Sequence, residues 1–116
     1  MATVTPTITY APNGYRDLVQ VVWAGLATGD DGAPVDIANW QDRSVQAEGT
    51  FGGATVGVQG SNDGTNYRSL SDAASTAIAI TAAGIEQVLE IVRLVRPIVT
   101  GGAGSGLTVT LLAKRN

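Results

Sequence analysis

Carboxylates are the first side chains to weigh for chemistry in this sequence. Asp30 and Asp31 are adjacent, Asp36, Asp42, Glu48, Asp63 and Asp72 follow, and Glu86 and Glu90 lie four apart. Two acids with separated pKa values can carry out hydrolysis, one donating a proton while the other activates water or attacks. Such a pair needs a cleft that perturbs it. Most of these acids instead lie among turn residues, where solubility and local hydrogen bonding account for them. Asp30-Asp31-Gly32 and Asn62-Asp63-Gly64 superficially resemble calcium loops. An EF-hand, however, requires oxygen ligands at alternating positions through a longer loop ending in Glu, and neither segment has that spacing. Gly101 to Gly106 lacks the Lys and following Ser or Thr of a phosphate-binding loop. The chain has no histidine and no cysteine, which removes the commonest general base, the commonest metal ligand and every thiol nucleophile. No catalytic residue, cofactor or metal site is therefore assigned from the sequence, and the chain is not expected to be an enzyme.

The elements that would position any site read as strands. Leu18 to Leu26 carries Val19, Val21, Val22 and Trp23, and Ala54 to Gly60 alternates cleanly between small or polar and branched residues. Ser44 to Glu48, Tyr67 to Leu70, Thr76 to Ile80 and Leu107 to Leu112 read likewise. Residues 82–90 have some helical character, with Ile85, Val88 and Leu89 on one helical face, but the β-rich setting and the following Ile91 to Arg96 favour a strand pair. Val35 to Gln41 is ambiguous between a helical turn and a bent strand. Turn chemistry separates these runs at Ala11-Pro12-Asn13-Gly14, Thr28 to Pro34, Gly52-Gly53 and Ser61 to Asn66. Pro97 suggests an edge or a bulge, and Gly101 to Gly106 a flexible hairpin loop. The expected fold is a single all-β domain, an antiparallel β-sandwich or jelly-roll of about seven to nine short strands. Residues 1–12 form an N-terminal arm or edge strand, because Pro6 interrupts the β-branched run, and residues 13–116 form the sandwich.

At 116 residues there is room for one domain, and a hydrophobic fraction of 44% supports a core without disulfides. Only 15% of residues are charged, against about 25% in ordinary soluble domains. A small domain with so little charge has much neutral surface, which suits faces covered by neighbouring subunits. The net charge is −3 and the seven basic residues are scattered, so no basic stripe for nucleic acid is present. The segment Met1 to Pro6 lacks the pattern of a signal peptide, and no apolar run approaches the length of a membrane helix.

Candidate contact residues follow from this reading. Val4, Pro6, Ile8 and Tyr10 lie on the potential arm, expected to become ordered against a neighbour. Trp23 and Trp40 are most simply core or core-rim residues, with interface anchoring next and sugar stacking third. Arg93 and Arg96, if on one face of a strand, are available to acidic partner groups, although ordinary surface exposure is the simpler reading.

Several blocks carry a family resemblance. They are Trp23-Ala24-Gly25-Leu26, Gly29 to Val35, Asp42-Arg43-Ser44-Val45-Gln46, Gly49 to Val56, Gln59 to Tyr67, Arg96 to Gly102 and Leu107 to Arg115. Together, from about Leu18 to Arg115, the chain resembles small proteins encoded among the head genes of tailed bacteriophages and prophages. The most specific block is Gly49 to Tyr67. The resemblance implies a virion structural protein made in the host cytoplasm. It would decorate or cement the outer capsid surface with the major capsid protein as partner. A homo-oligomer is expected, a trimer first and a twofold dimer next. A head-fibre base, neck or tail component and a carbohydrate-binding module remain open alternatives.

Overall fold

The structure, a computed structural model, describes residues 2–115. Eleven strands form two sheets packed face to face, an all-β sandwich. In chain order they are β1 (Thr3–Val4), β2 (Thr7–Tyr10), β3 (Leu18–Leu26), β4 (Asp31–Gly32), β5 (Val35–Asp36), β6 (Asp42–Thr50), β7 (Thr55–Ser61), β8 (Arg68–Ser69), β9 (Gly84–Val88), β10 (Leu94–Thr100) and β11 (Ser105–Lys114). Sheet A runs β1-β4-β10-β7-β8, with β5 also on β10, and sheet B runs β2-β3-β11-β6-β9. The pairs are antiparallel except β1 with β4. The count exceeds the seven to nine expected because several strands are only two residues long, too short to leave an alternating signature.

Alternation does the sorting. Along β3 the residues Val19, Val21 and Trp23 are buried while Gln20 and Val22 are not, and β6 and β11 repeat the pattern with Val45, Ala47, Val109 and Leu111. These inner faces meet Val56, Val58, Val95 and Val99 of sheet A. Trp23 reaches from sheet B to sheet A, where its Nε1–H donates to the Ala33 carbonyl at 2.9 Å. Gly32 makes room for it, since a Cβ there would lie 2.5 Å from the indole.

Three connections that cross between the sheets meet at one end. Thr28 of the β3–β4 loop ties to the β10–β11 loop, its Oγ1–H donating to Gly101 O at 2.7 Å and its Oγ1 accepting the Gly104 N–H at 2.8 Å. The β6–β7 loop joins them where Ala103 N–H donates to Gly52 O at 2.9 Å. Gly102, at φ +54°, lies so close to the backbone of Gly53 and Ala54 that no side chain fits. The stretch read as a hairpin loop is thus a corner between sheets, because β10 and β11 never pair with each other.

Other local expectations are resolved by partners distant in sequence. Pro97 lies inside β10, a strand with neighbours on both sides, and not at an edge or bulge. Val99 N–H donates to Asp30 O on the β4 side. Two residues earlier the Pro97 ring lies on that same side against Gly32, the last residue of β4, its Cδ 2.5 Å from where a Cβ would stand. Thr76 to Ile80 forms only isolated bridges, Ser71 with Ala77 and Val56 with Ile80. Val35 to Gln41 is a short strand followed by a turn. Arg43, buried to 3% exposure, donates to the carbonyls of Trp40 and Ile37, each at 3.0 Å, and holds that turn. Residues 82–96 give β9 and β10, as strands rather than helix, but in opposite sheets.

Candidate assembly surface

The two outer faces of the sandwich differ in chemistry. On sheet B the cross-strand register sets Thr9, Gln20, Leu112, Ser44 and Gln87 in one row and Thr7, Val22, Thr110, Gln46 and Ile85 in the next. Their neighbours along each inner strand point into the core, so these rows face outward. Not one of the ten ionises. Charge is confined to the margins, with Lys114 opposite Asp42 at one end and Glu48 beside Thr108 at the other. On sheet A the outward row is a polar network instead. Arg96 lies 3.7 Å from Asp31, donates to the Gln59 amide oxygen at 3.0 Å and stacks on Tyr67 at 3.9 Å. Asp31 also accepts the Thr3 hydroxyl at 2.8 Å.

Exposed apolar side chains show the same polarity. Among the described residues the large exposed hydrophobics are Ile8, Tyr10, Tyr15, Ile85, Leu89, Ile91 and Leu112. They occupy sheet B, the turn from β2 to β3, or the connection leaving β9, and none lies on a strand of sheet A. Of these only Ile85 and Leu112 lie in the outward rows; Ile8 and Tyr10 register with the inward Val21 and Val19 and are exposed because β2 is an edge strand.

The structure distributes the residues picked from sequence unevenly. Ile8 and Tyr10 are exposed on β2, whereas Val4 and Pro6 are half-buried and Val4 packs on the core. The segment is an edge strand of each sheet in turn, not a free arm: β1 lies on β4 and β2 on β3. Trp23 and Trp40 are core residues, 1% and 6% exposed, as their simplest reading held, and are corrected only as candidate interface anchors, since their rings fill the space between the sheets. The Trp40 ring meets Arg115 at 4.5 Å and Tyr10 at 6.4 Å. Arg93 and Arg96 are not a free cationic pair either. Arg93 precedes β10, three positions from Arg96 and so of opposite parity, and it pairs with Asp36 at 3.2 Å. Arg96 is engaged by Asp31 as above.

Sequence reasoning missed Ile85, Leu89, Ile91 and Leu112. One signal was available: Leu111 and Leu112 are consecutive in an alternating strand, so one of them must face outward.

The acids do not gather into a reactive centre. Among the described residues no group of three or more Asp or Glu converges to hold a metal ion. Asp63 accepts the N–H of Asn66, the Asn66 amide, the N–H of Thr65 and the Ser61 hydroxyl, at 2.8 to 2.9 Å. These donors hold its carboxyl far below the usual range. Asp30 is lowered by the N–H groups of Ala27 and Ala2, and Asp36 by the Ala38 N–H and then by Arg93. At Glu90 burial acts to raise the pKa, but bonds from Ser71 more than offset it. Each acid shapes a turn or ties down a loop.

No protein-family model matches this chain, and no curated protein matches it. Among solved structures it is similar to Peruvianin-I, a cysteine peptidase from Thevetia peruviana latex, with a TM-score of 0.48 and 14% identity over 96% of this chain. The chain spans 63% of that peptidase chain, and a likeness this slight carries no argument about function.

Proposed function

We propose that this chain is a non-catalytic structural protein of a bacteriophage virion. In this reading it is a decoration or cement protein that lies on the outer head surface with sheet B against the major capsid protein. The uncharged pair of rows across all five strands of sheet B carries the reading. An interface core is depleted of charge because each buried ion must be desolvated and paired. A face of Thr, Gln, Ser, Val, Leu and Ile avoids that cost while keeping hydrogen-bonding groups for a partner. The sequence resemblance to phage head-gene products supplies the viral setting. Repeated copies on a symmetric shell convert modest single contacts into firm retention.

The test is addition of purified protein to heads assembled without it. Saturable binding at a fixed ratio to the capsid protein is expected, with density for the sandwich on the outer surface in a cryo-EM map and sheet B toward the shell. Leu112→Glu, central on that face, is expected to abolish binding while its unfolding midpoint stays near wild type. Heads that never retain the protein would overturn the reading.

A further inference from the structure

We propose that the end of the sandwich opposite the crossing loops binds an acidic polysaccharide, a chain of sugar rings of which some carry a carboxylate. This goes beyond the shell-binding reading and does not depend on it.

A groove of about 570 Å³ opens there, with Tyr10, Arg16, Asp36, Asn39, Trp40 and Arg115 in its lining. Its walls come from the ends of β2 and β5, the connections from β2 to β3 and from β5 to β6, and the residue after β11. Main-chain bonds fix these pieces against one another. Ala11 N–H donates to Leu18 O at 3.0 Å, Arg115 N–H to Asp17 O at 2.9 Å and Gln41 N–H to Lys114 O at 2.8 Å. Buried Arg43 holds the turn that carries Asn39 and Trp40. A groove formed in advance loses little to ordering when a ligand enters.

Arg16 and Arg115 bring two guanidiniums to this groove, and among the described residues neither is in an ion pair. Arg115 is positioned without being neutralised. It stacks at 4.5 Å on the Trp40 ring, which fixes its plane and leaves its N–H edge open to a carboxylate. Beside it Tyr10 is 67% exposed, a ring on which the C–H face of a sugar can stack. Arg16 also lines a neighbouring concavity of about 390 Å³ with Tyr15, Asp17 and Lys114, so an exposed ring beside a base occurs twice. Repetition suits a polymer. The acids decide which one, since Asp36 lies in the first concavity and Asp17 in the second. The backbone of a phosphodiester strand, or a run of Glu, brings these acids only further negative charge. Sugar rings bring hydroxyls, which donate to a carboxylate oxygen and accept from a guanidinium or from the Asn39 amide.

The test is calorimetric titration of the purified chain with three uronate polymers, polygalacturonate, alginate and hyaluronate, each beside its methyl ester. Saturable binding of at least one acid form is expected, about tenfold or more weaker for its ester. Oligothymidylate and polyglutamate at equal charge are expected not to displace it. Arg16→Gln, Arg115→Gln and the uncharged change Tyr10→Ser are each expected to weaken binding about tenfold or more, with circular dichroism confirming the fold. Arg68→Gln, exposed and outside both concavities, controls for net charge and is expected to bind as wild type. Binding of none of the three polymers, equal binding of the ester, displacement by either competitor, or wild-type binding by any of the three groove variants would overturn the proposal. Because no heads are present, its failure and the failure of shell binding are separately visible.

Discussion

Trp23 shows how a single side chain bridges the two sheets: its ring fills the space left by Gly32 and its indole N–H is satisfied by Ala33. Trp23→Ala leaves a cavity and an unpaired carbonyl and is expected to cost about 3–5 kcal/mol in urea unfolding. Against a stability of roughly 5–15 kcal/mol for a domain, that is a large share. Tyr10→Ser, on the surface, should stay within about 0.5 kcal/mol. Arg43 is a cation held by main-chain carbonyls, with burial pulling its pKa down. The carboxylates set the acid limb of stability. Asp30, Asp36 and Asp63 have folded-state pKa values below their unfolded value of 3.8. A depressed folded pKa contributes stability above that value, lost as pH falls below it. The urea midpoint is therefore expected to hold from about pH 7 to pH 5 and to drop below about pH 4. Asp63→Asn should flatten part of that drop.

At the scale of elements, the crossing loops and the N-terminal strands decide how the sheets are held. Gly102→Ala forces a side chain into the Gly53–Ala54 backbone at a positive φ, and a loss of more than about 1 kcal/mol is expected in the same assay. Deleting residues 2–10 removes β1 from one sheet and β2 from the other. The truncated chain is expected to unfold at lower temperature, in contrast to the removal of a free arm. How legible these elements were depended on their partners. Leu18–Leu26 and Thr55–Ser61 were plain because each alternates against a core on one side. The corner at Gly101–Gly104 was not, since a glycine-rich stretch permits a hairpin and a crossing equally, and only the partners of β10 and β11 distinguish them.

For the whole molecule, the two outer faces of the sandwich differ in chemistry, and under the proposed function sheet B is the face that docks. Sheet A locks its outer face with Arg96, Asp31, Gln59 and Tyr67. Arg96→Gln is expected to lower stability by about 0.5–1.5 kcal/mol, as for an ordinary hydrogen-bonded group, and to leave head binding unchanged. Gln46→Lys, on the outer face of sheet B, should do the reverse, because it introduces an ion that docking would have to desolvate.

The sequence by itself determined the all-β class, the main strands, the aliphatic core and the lack of imidazole and thiol chemistry, because alternation and composition are local properties. The tertiary structure alone decided the pairing of Arg96 with Asp31, the crossing of Gly101–Gly104 between the sheets, and the uncharged rows of sheet B. Thr7, Val22, Thr110, Gln46 and Ile85 lie far apart along the chain, and only strand order and register make them one surface.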